Sequence, residues 1–325
     1  MTELKVLKYT NEYKAQWDSF VDNAKNATFL FKRDFIEYHK DRFEDFSLLV
    51  FDRKNNLTAI LPANINDQTV YSHQGLTYGG ILISESLKFT DYTAIFQKLL
   101  FYLHGKNISE FILKKTPSIY QLSKSGYFDA LIDKLEGENI LSEVSLAVDL
   151  SGLIKFSSSK RQSISMSKKN GLKIVETASF TEFWNEILIP NLKNKFKEKP
   201  VHSLAEISFL KEKFPNNIRQ FNVYKEKEII AGVTIFESEL VAHSQYSSGK
   251  SEFNSLRGLD YLLNYLIKEQ FSEKQYFSFG TSSTGENQIN KGLFTWKQGF
   301  GSIPIPQKRY LVKTKNFKNL NSLFL

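Results

Sequence analysis

Apolar positions along the chain switch repeatedly between the three-to-four spacing of helices and the unbroken or alternating runs of strands. Trp17, Phe20 and Val21 fall on one helical face, and Phe35, Tyr38 and His39 on a second. Residues 47–52 read as a strand, Arg53-Lys54-Asn55-Asn56 as a turn, and residues 57–62 as the hairpin partner. A third strand is expected over 69–73, and Gly75, Gly79 and Gly80 punctuate the segment after it. Tyr92, Ile95, Phe96, Leu99, Leu100 and Leu103 predict an amphipathic helix over 89–103, succeeded by a short strand at 110–113.

The second half repeats this order. Helices are predicted over 180–196 and 203–214, with Pro190 breaking or kinking the first. A hairpin comes next over 218–224 and 229–237, turned by Lys225-Glu226-Lys227-Glu228, and then a strand over 240–247. Leu262, Leu263, Leu266 and Ile267 mark the buried side of a helix over 259–270, and a strand over 275–279 ends at Gly280. Helix, helix, hairpin, strand, helix, strand thus occurs twice without sequence identity. The order predicts an internal duplication with its boundary near Leu150-Ser151-Gly152. The expected domains are 1–150 and 151–325.

Composition narrows the function. The chain has 325 residues, 41% hydrophobic and 24% charged, which fits globular domains and excludes disordered or collagen-like classes. The longest apolar run, Leu99-Leu100-Phe101-Tyr102-Leu103, is far too short to span a membrane. With no cysteine there is no disulfide, thiolate metal site or cysteine nucleophile. His39, His73, His104, His202 and His243 form no H-x-H or H-x-x-x-H pair, so no metal is expected. The N-terminus lacks a signal-peptide layout, and the expected location is the cytoplasm.

Charge is lopsided. Residues 1–150 carry 17 Lys and Arg against 20 Asp and Glu, and residues 151–325 carry 26 against 15. Leu150 to Val175 contains no acid but holds Lys155, Lys160, Arg161, Lys168, Lys169 and Lys173. Such a field favours an anionic partner: a nucleotide-linked substrate, a cofactor phosphate or an RNA.

Several catalytic classes fail on motif: there is no G-x-S-x-G elbow, no P-loop and no H-E-x-x-H. The richest segment runs from Leu240 to Gly301. Its strand carries His243, Gln245 and Tyr246, and Ser255-Leu256-Arg257-Gly258-Leu259 opens the apolar helix, a geometry suited to an anion at free backbone N–H groups. Further on, Lys297 sits among aromatics and glycines in Lys291-Gly292-Leu293-Phe294-Thr295-Trp296-Lys297-Gln298-Gly299-Phe300-Gly301. That setting suits a lysine aimed at a reacting carbonyl, and equally a lysine snorkelling from a core helix.

This last run, with Phe29 to Tyr38, Tyr78-Gly79-Gly80, Arg161-Gln162-Ser163-Ile164, Tyr246 and Phe277-Ser278-Phe279-Gly280, resembles the FemABX-like branch of the GNAT superfamily of N-acyltransferases. The resemblance covers most of the chain. It implies an α/β (α+β) fold of two tandem GNAT-like acyltransferase domains, each a mixed central sheet flanked by helices. It further implies transfer of an acyl or aminoacyl group to an amine of a cell-envelope precursor, an amino sugar or peptide, by direct attack on a thioester or ester. Acyl-CoA is then the co-substrate. The alternatives are an aminoacyl-tRNA-dependent transferase, with tRNA as partner, and a degenerate member that binds without turnover. Lys297 and Tyr246 are the candidate catalytic residues. Arg161, His39, Tyr78 and Trp296 are candidate substrate contacts, and Arg257 and Gly258 candidate cofactor contacts. One departure stands out: where the family's pyrophosphate loop has Gln or Arg, then Gly, then Gly or Ala, this chain has Ser255, Gly258 and Asp260.

Overall fold

The hairpin expected around Asn55 forms between the strands Leu48–Phe51 and Leu57–Leu61. Asp52 Oδ1 accepts from the N–H groups of Lys54 and Asn56 at 2.9 and 2.8 Å, and Asn55 takes φ +60°, a left-handed conformation asparagine tolerates. The computed structural model describes residues 4–84, 86–122, 126–283 and 288–323, side chains 195 and 196 aside. The chain folds as two compact units, Met1–Glu143 with Pro306–Leu325, and Val144–Ile305.

In the first unit the hairpin continues into an antiparallel sheet flanked by Lys5–Lys8 and Leu82–Ile83. A second ladder pairs Glu44–Asp45, Asn64–Asn66, Thr69–Tyr71 and Glu110–Lys114. The helix Phe89–Gly105 buries the predicted face, Tyr92 through Leu103, against the strands. Two elements are shorter than their patterns suggest. The second helix is Arg33–Glu37 and stops before Tyr38 and His39, and the strand Thr69–Tyr71 ends because His73 turns the backbone to φ +64°.

The domain division differs from 1–150 and 151–325. Arg309–Lys313 pair antiparallel with Glu110–Lys114, Thr314 Oγ1 donates to Ile108 O at 2.6 Å, and Asn316 Nδ2 to Leu135 O at 2.9 Å. These bonds tie the last twenty residues to the first unit. The charges move with them. The first unit then holds 22 cations against 19 acids and the second 21 against 16, so the imbalance narrows to +3 and +5.

The second unit is built on strands in the order Leu172–Thr177, Ile218–Lys225, Glu228–Glu237, Val241–Gly249, Tyr276–Thr281 and the Val144-to-Asp149 end of Glu138–Asp149. Leu262, Leu263, Leu266 and Ile267 pack on it from the helix Gly258–Tyr265 and its π-helical continuation Leu266–Gln270. Pro190 does not break its helix. The π-helical Phe183–Leu188 runs directly into Ile189–Phe196, and Pro190 stands just after this widened stretch, a local adjustment that accommodates its missing N–H. Among the described residues no helix is long and apolar enough to cross a membrane.

Candidate active site

The strands Val241–Gly249 and Tyr276–Thr281 run parallel and share register over three pairs only, Val241 with Tyr276, Ala242 with Phe277 and His243 with Ser278. Beyond that point they part. Val241–Gly249 stays with Glu228–Glu237 as far as Gly249, while Gly280 and Thr281 pair with Leu146 and Ser145. Both strands shift register at the divergence, one opposite Gln245 and the other between Ser278 and Gly280. Such irregularities bend a strand and re-aim its side chains. Gly280 takes φ +67°, a conformation that favours glycine, and a Cβ there would press on His243 Cε1 at 3.1 Å.

Lys297 reaches this wedge from the helix Lys291–Gln298, whose first turn is capped by Asn290 Oδ1 accepting from Leu293 N at 2.9 Å. The Lys297 side chain is buried, and its Nζ donates to Gly280 O at 3.2 Å and Thr281 O at 2.5 Å. Removal from water draws its pKa down to about 8. His243 Nδ1 lies 3.1 Å from Ser278 Oγ, and desolvation, helped by the Lys297 charge, lowers this imidazole to about 4. At neutral pH the wedge therefore holds a largely protonated lysine beside a neutral histidine.

Tyr246 stands three residues along the same strand. Its hydroxyl accepts from His202 N at 3.1 Å and lies 2.7 Å from His202 Nδ1, and its ring packs edge-on against Trp184. Burial pushes its pKa up to about 12, so it stays a phenol.

A cleft of about 390 Å³ lies between the end of Val241–Gly249 and the start of Gly258–Tyr265. Arg257, exposed and at φ +56°, immediately precedes the helix, whose first-turn N–H groups have no intrahelical partner. A Cβ on Gly258 would come 2.8 Å from Ile230 Cδ1, so this glycine lets the helix sit close to the sheet. Asp260, buried, accepts from Lys160 Nζ at 2.7 Å, Ser163 Oγ at 2.7 Å and Trp296 Nε1 at 3.2 Å. Lys160 also stacks 4.5 Å from the Trp296 and Phe300 rings. Desolvation lowers the Lys160 pKa despite its carboxylate partner.

The structure thus gathers Arg257, Gly258 and Trp296 at one cleft and sets Lys297 next to Trp296 on the same helix. Arg161 points elsewhere: it lines a different groove and donates from Nη1 to Phe156 O at 2.5 Å. His39 and Tyr78 belong to the first unit. The buried His39 ring stacks on Tyr38 at 4.2 Å and His73 at 5.1 Å. Tyr78 is also buried, with its hydroxyl 3.0 Å from Thr28 Oγ1 and its ring 4.5 Å from Tyr120; burial pushes its pKa well up. From the sequence, His243, Ser278, His202 and Lys160 receive no role, and Asp260 stands out only as a departure from the loop pattern. For His243 the signal was present, three residues before Tyr246 on a predicted strand. For the pairing of Lys160 with Asp260, a hundred residues apart, there was none. Among the described residues no group of three His, Asp or Glu side chains forms a metal cage.

No protein-family model matches the sequence. Conserved oligomeric Golgi complex subunit 1 of Schizosaccharomyces pombe (strain 972) is 31% identical over 127 residues, 34% of this chain. The match spans 18% of that protein's length, so it places this chain in no family. Among solved structures, FemX superposes with TM-score 0.68 at 9% identity, covering 98% of this chain and 99% of that one. A conserved protein of unknown function from Bacteroides thetaiotaomicron gives TM-score 0.57 at 10% identity over 96% and 99%. L-PGS from Bacillus licheniformis gives 0.56 at 11% over 86% and 87%. At such identities the likeness is one of fold, a mixed α/β architecture like that of FemX.

Proposed function

We propose that the chain is an N-acyltransferase that moves an acyl or aminoacyl group from a thioester or ester to an amine of a cell-envelope precursor, an amino sugar or peptide. One observation carries this reading: a buried lysine, next to a neutral histidine, at the point where two parallel strands part.

The neutral amine attacks the carbonyl, the carbon–nitrogen bond forms, and the carbon–sulfur or carbon–oxygen bond breaks. The leaving thiolate or alkoxide takes up the proton that the amine gives up. No covalent enzyme intermediate is needed, which agrees with a chain that has no cysteine. An ammonium carries three donors, and two of those on Lys297 are held by Gly280 and Thr281; the third is the donor for the developing oxyanion. His243, kept neutral by burial, is the group that can accept the amine proton and pass it on. Tyr246, fixed through His202, positions the acceptor. Arg257 and the helix start at Gly258 take the donor's phosphate, from acyl-CoA or from a tRNA end. Arg161, His39 and Tyr78 are not needed by this mechanism.

The test is turnover by the purified protein across a panel of amines, with acyl-CoAs followed by thiol release and aminoacyl-tRNAs followed by label transfer. Product from either donor, lost on Lys297→Met, supports the reading. Binding of both donors without product from any amine overturns it in favour of a non-catalytic member.

A further inference from the structure

The helix Ser158–Ser167 turns Lys160 toward Asp260 and presents its opposite side to a groove of about 460 Å³ that the transfer chemistry leaves unused. Lys155, Arg161, Lys168 and Lys268 line this groove, all exposed, and its lining contains no aspartate or glutamate. The cations rest on an apolar floor rather than on carboxylates. Arg161 bonds to the Phe156 carbonyl, Lys268 Nζ lies 4.8 Å from the centre of the Phe156 ring, and Phe156 and Ile164 are buried beneath them. One large apolar side chain accompanies them: Leu153, in the non-helical segment two residues before Lys155, is 83% exposed.

Cations alone would suit any anion. A phosphate, a nucleic acid or an acidic peptide would use the four positive charges and leave Leu153 in water. An anionic bilayer accounts for both features, because headgroup phosphates pair with Lys and Arg while apolar tips enter the acyl boundary. We propose that this face of the second unit docks on a membrane surface rich in anionic lipid, with Lys155, Arg161, Lys168 and Lys268 on the headgroups and Leu153 inserted. The proposal does not depend on the transferase reading, since docking requires no turnover.

The experiment is flotation of the full chain with vesicles of phosphatidylglycerol and phosphatidylcholine, beside pure phosphatidylcholine vesicles and a labelled single-stranded RNA. Binding to the anionic vesicles alone is expected, weakening as salt rises. Each cation near the surface contributes about fivefold to such binding, so Lys155→Glu with Lys168→Glu should weaken it at least ~25-fold. Leu153→Ser keeps every charge and should weaken it roughly five- to tenfold. All three positions are exposed, so the variants should fold as the parent does. Absence of vesicle binding overturns the proposal. So does binding that falls with charge reversal yet ignores Leu153→Ser, which a diffuse basic surface would give. RNA binding lost on charge reversal, without vesicle binding, assigns the groove to nucleic acid instead.

Discussion

Replacing Lys297 with methionine separates what the residue does for activity from what it does for stability. The side chain keeps nearly its volume and loses its charge. In the folded protein the ammonium pKa stands at about 8 against an ordinary 10.5, so burying this charge costs roughly 3 kcal/mol. Against that gain, the Gly280 and Thr281 carbonyls lose a donor, worth about 1 kcal/mol each. At pH 7 the variant should therefore be at least as stable as the parent, within about 1 kcal/mol. The sign with pH comes from proton counts. Between pH 8 and 10.5 the unfolded lysine is protonated and the folded one is not, so the parent gains stability across that window and the variant does not. If Lys297 supplies the oxyanion donor, kcat and kcat/KM should fall together by roughly 10²–10³. In the parent, the activity that depends on the ammonium should decline as pH rises through about 8. Lys297→Arg should rescue only in part, because its planar fork does not reproduce the ammonium. Urea denaturation at pH 7 and 9.5 beside steady-state kinetics decides the matter. A well-folded Lys297→Met protein with near-normal kcat, or losses that track its melting, would remove this residue from the mechanism.

Buried charge has two further measurable outcomes. Asp260→Ala leaves Lys160 buried without its carboxylate and should cost the second unit about 3–5 kcal/mol in denaturant unfolding, while pairing Asp260→Leu with Lys160→Met should recover most of it. In the first unit, desolvation and then the facing His39 hold the buried His73 at a pKa of about 3. Between pH 6.5 and 3 the unfolded histidine binds a proton that the folded one refuses, so stability falls with pH, by about 3 kcal/mol at pH 4.5 relative to pH 7. His73→Asn, which tolerates φ +64°, should flatten that slope in denaturation measured at both pH values.

What could be read from the chain alone was what is local. The hairpin about Asn55, the helix Phe89–Gly105 and the strands from Ile218 to Gly249 declare themselves by period and turn chemistry within a short stretch of chain. The strands that escaped are those whose reason lies far off. Glu138–Asp149 begins exposed and polar and becomes buried only from Ser145 on, where Tyr276–Thr281 lies beside it. Ile303–Lys313 carries Pro304 and Pro306, which argue locally against a strand, yet its Arg309-to-Lys313 end pairs with Glu110–Lys114, nearly two hundred residues earlier. That pairing moves five cations out of the second unit, and so a charge imbalance counted along the chain overstated the one in space.

The candidate site shows the same limit more sharply at Asp260. In sequence it reads as a defect, a negative charge where the phosphate loop of the resembling family has a small residue. In the structure it lines the cleft, but its carboxylate collects three donors and Lys160 answers its charge. Arg257 and the first-turn N–H groups of Gly258–Tyr265 still border that cleft. The carboxylate also grips the Trp296 indole, one residue before Lys297. A hydrogen bond at that position holds the helix Lys291–Gln298 against the helix Gly258–Tyr265, and with it the reach of Lys297 to Gly280 and Thr281. A residue that reads as a departure in sequence thus joins the cleft beside Arg257 to the buried lysine, by a contact that spacing along the chain could not express.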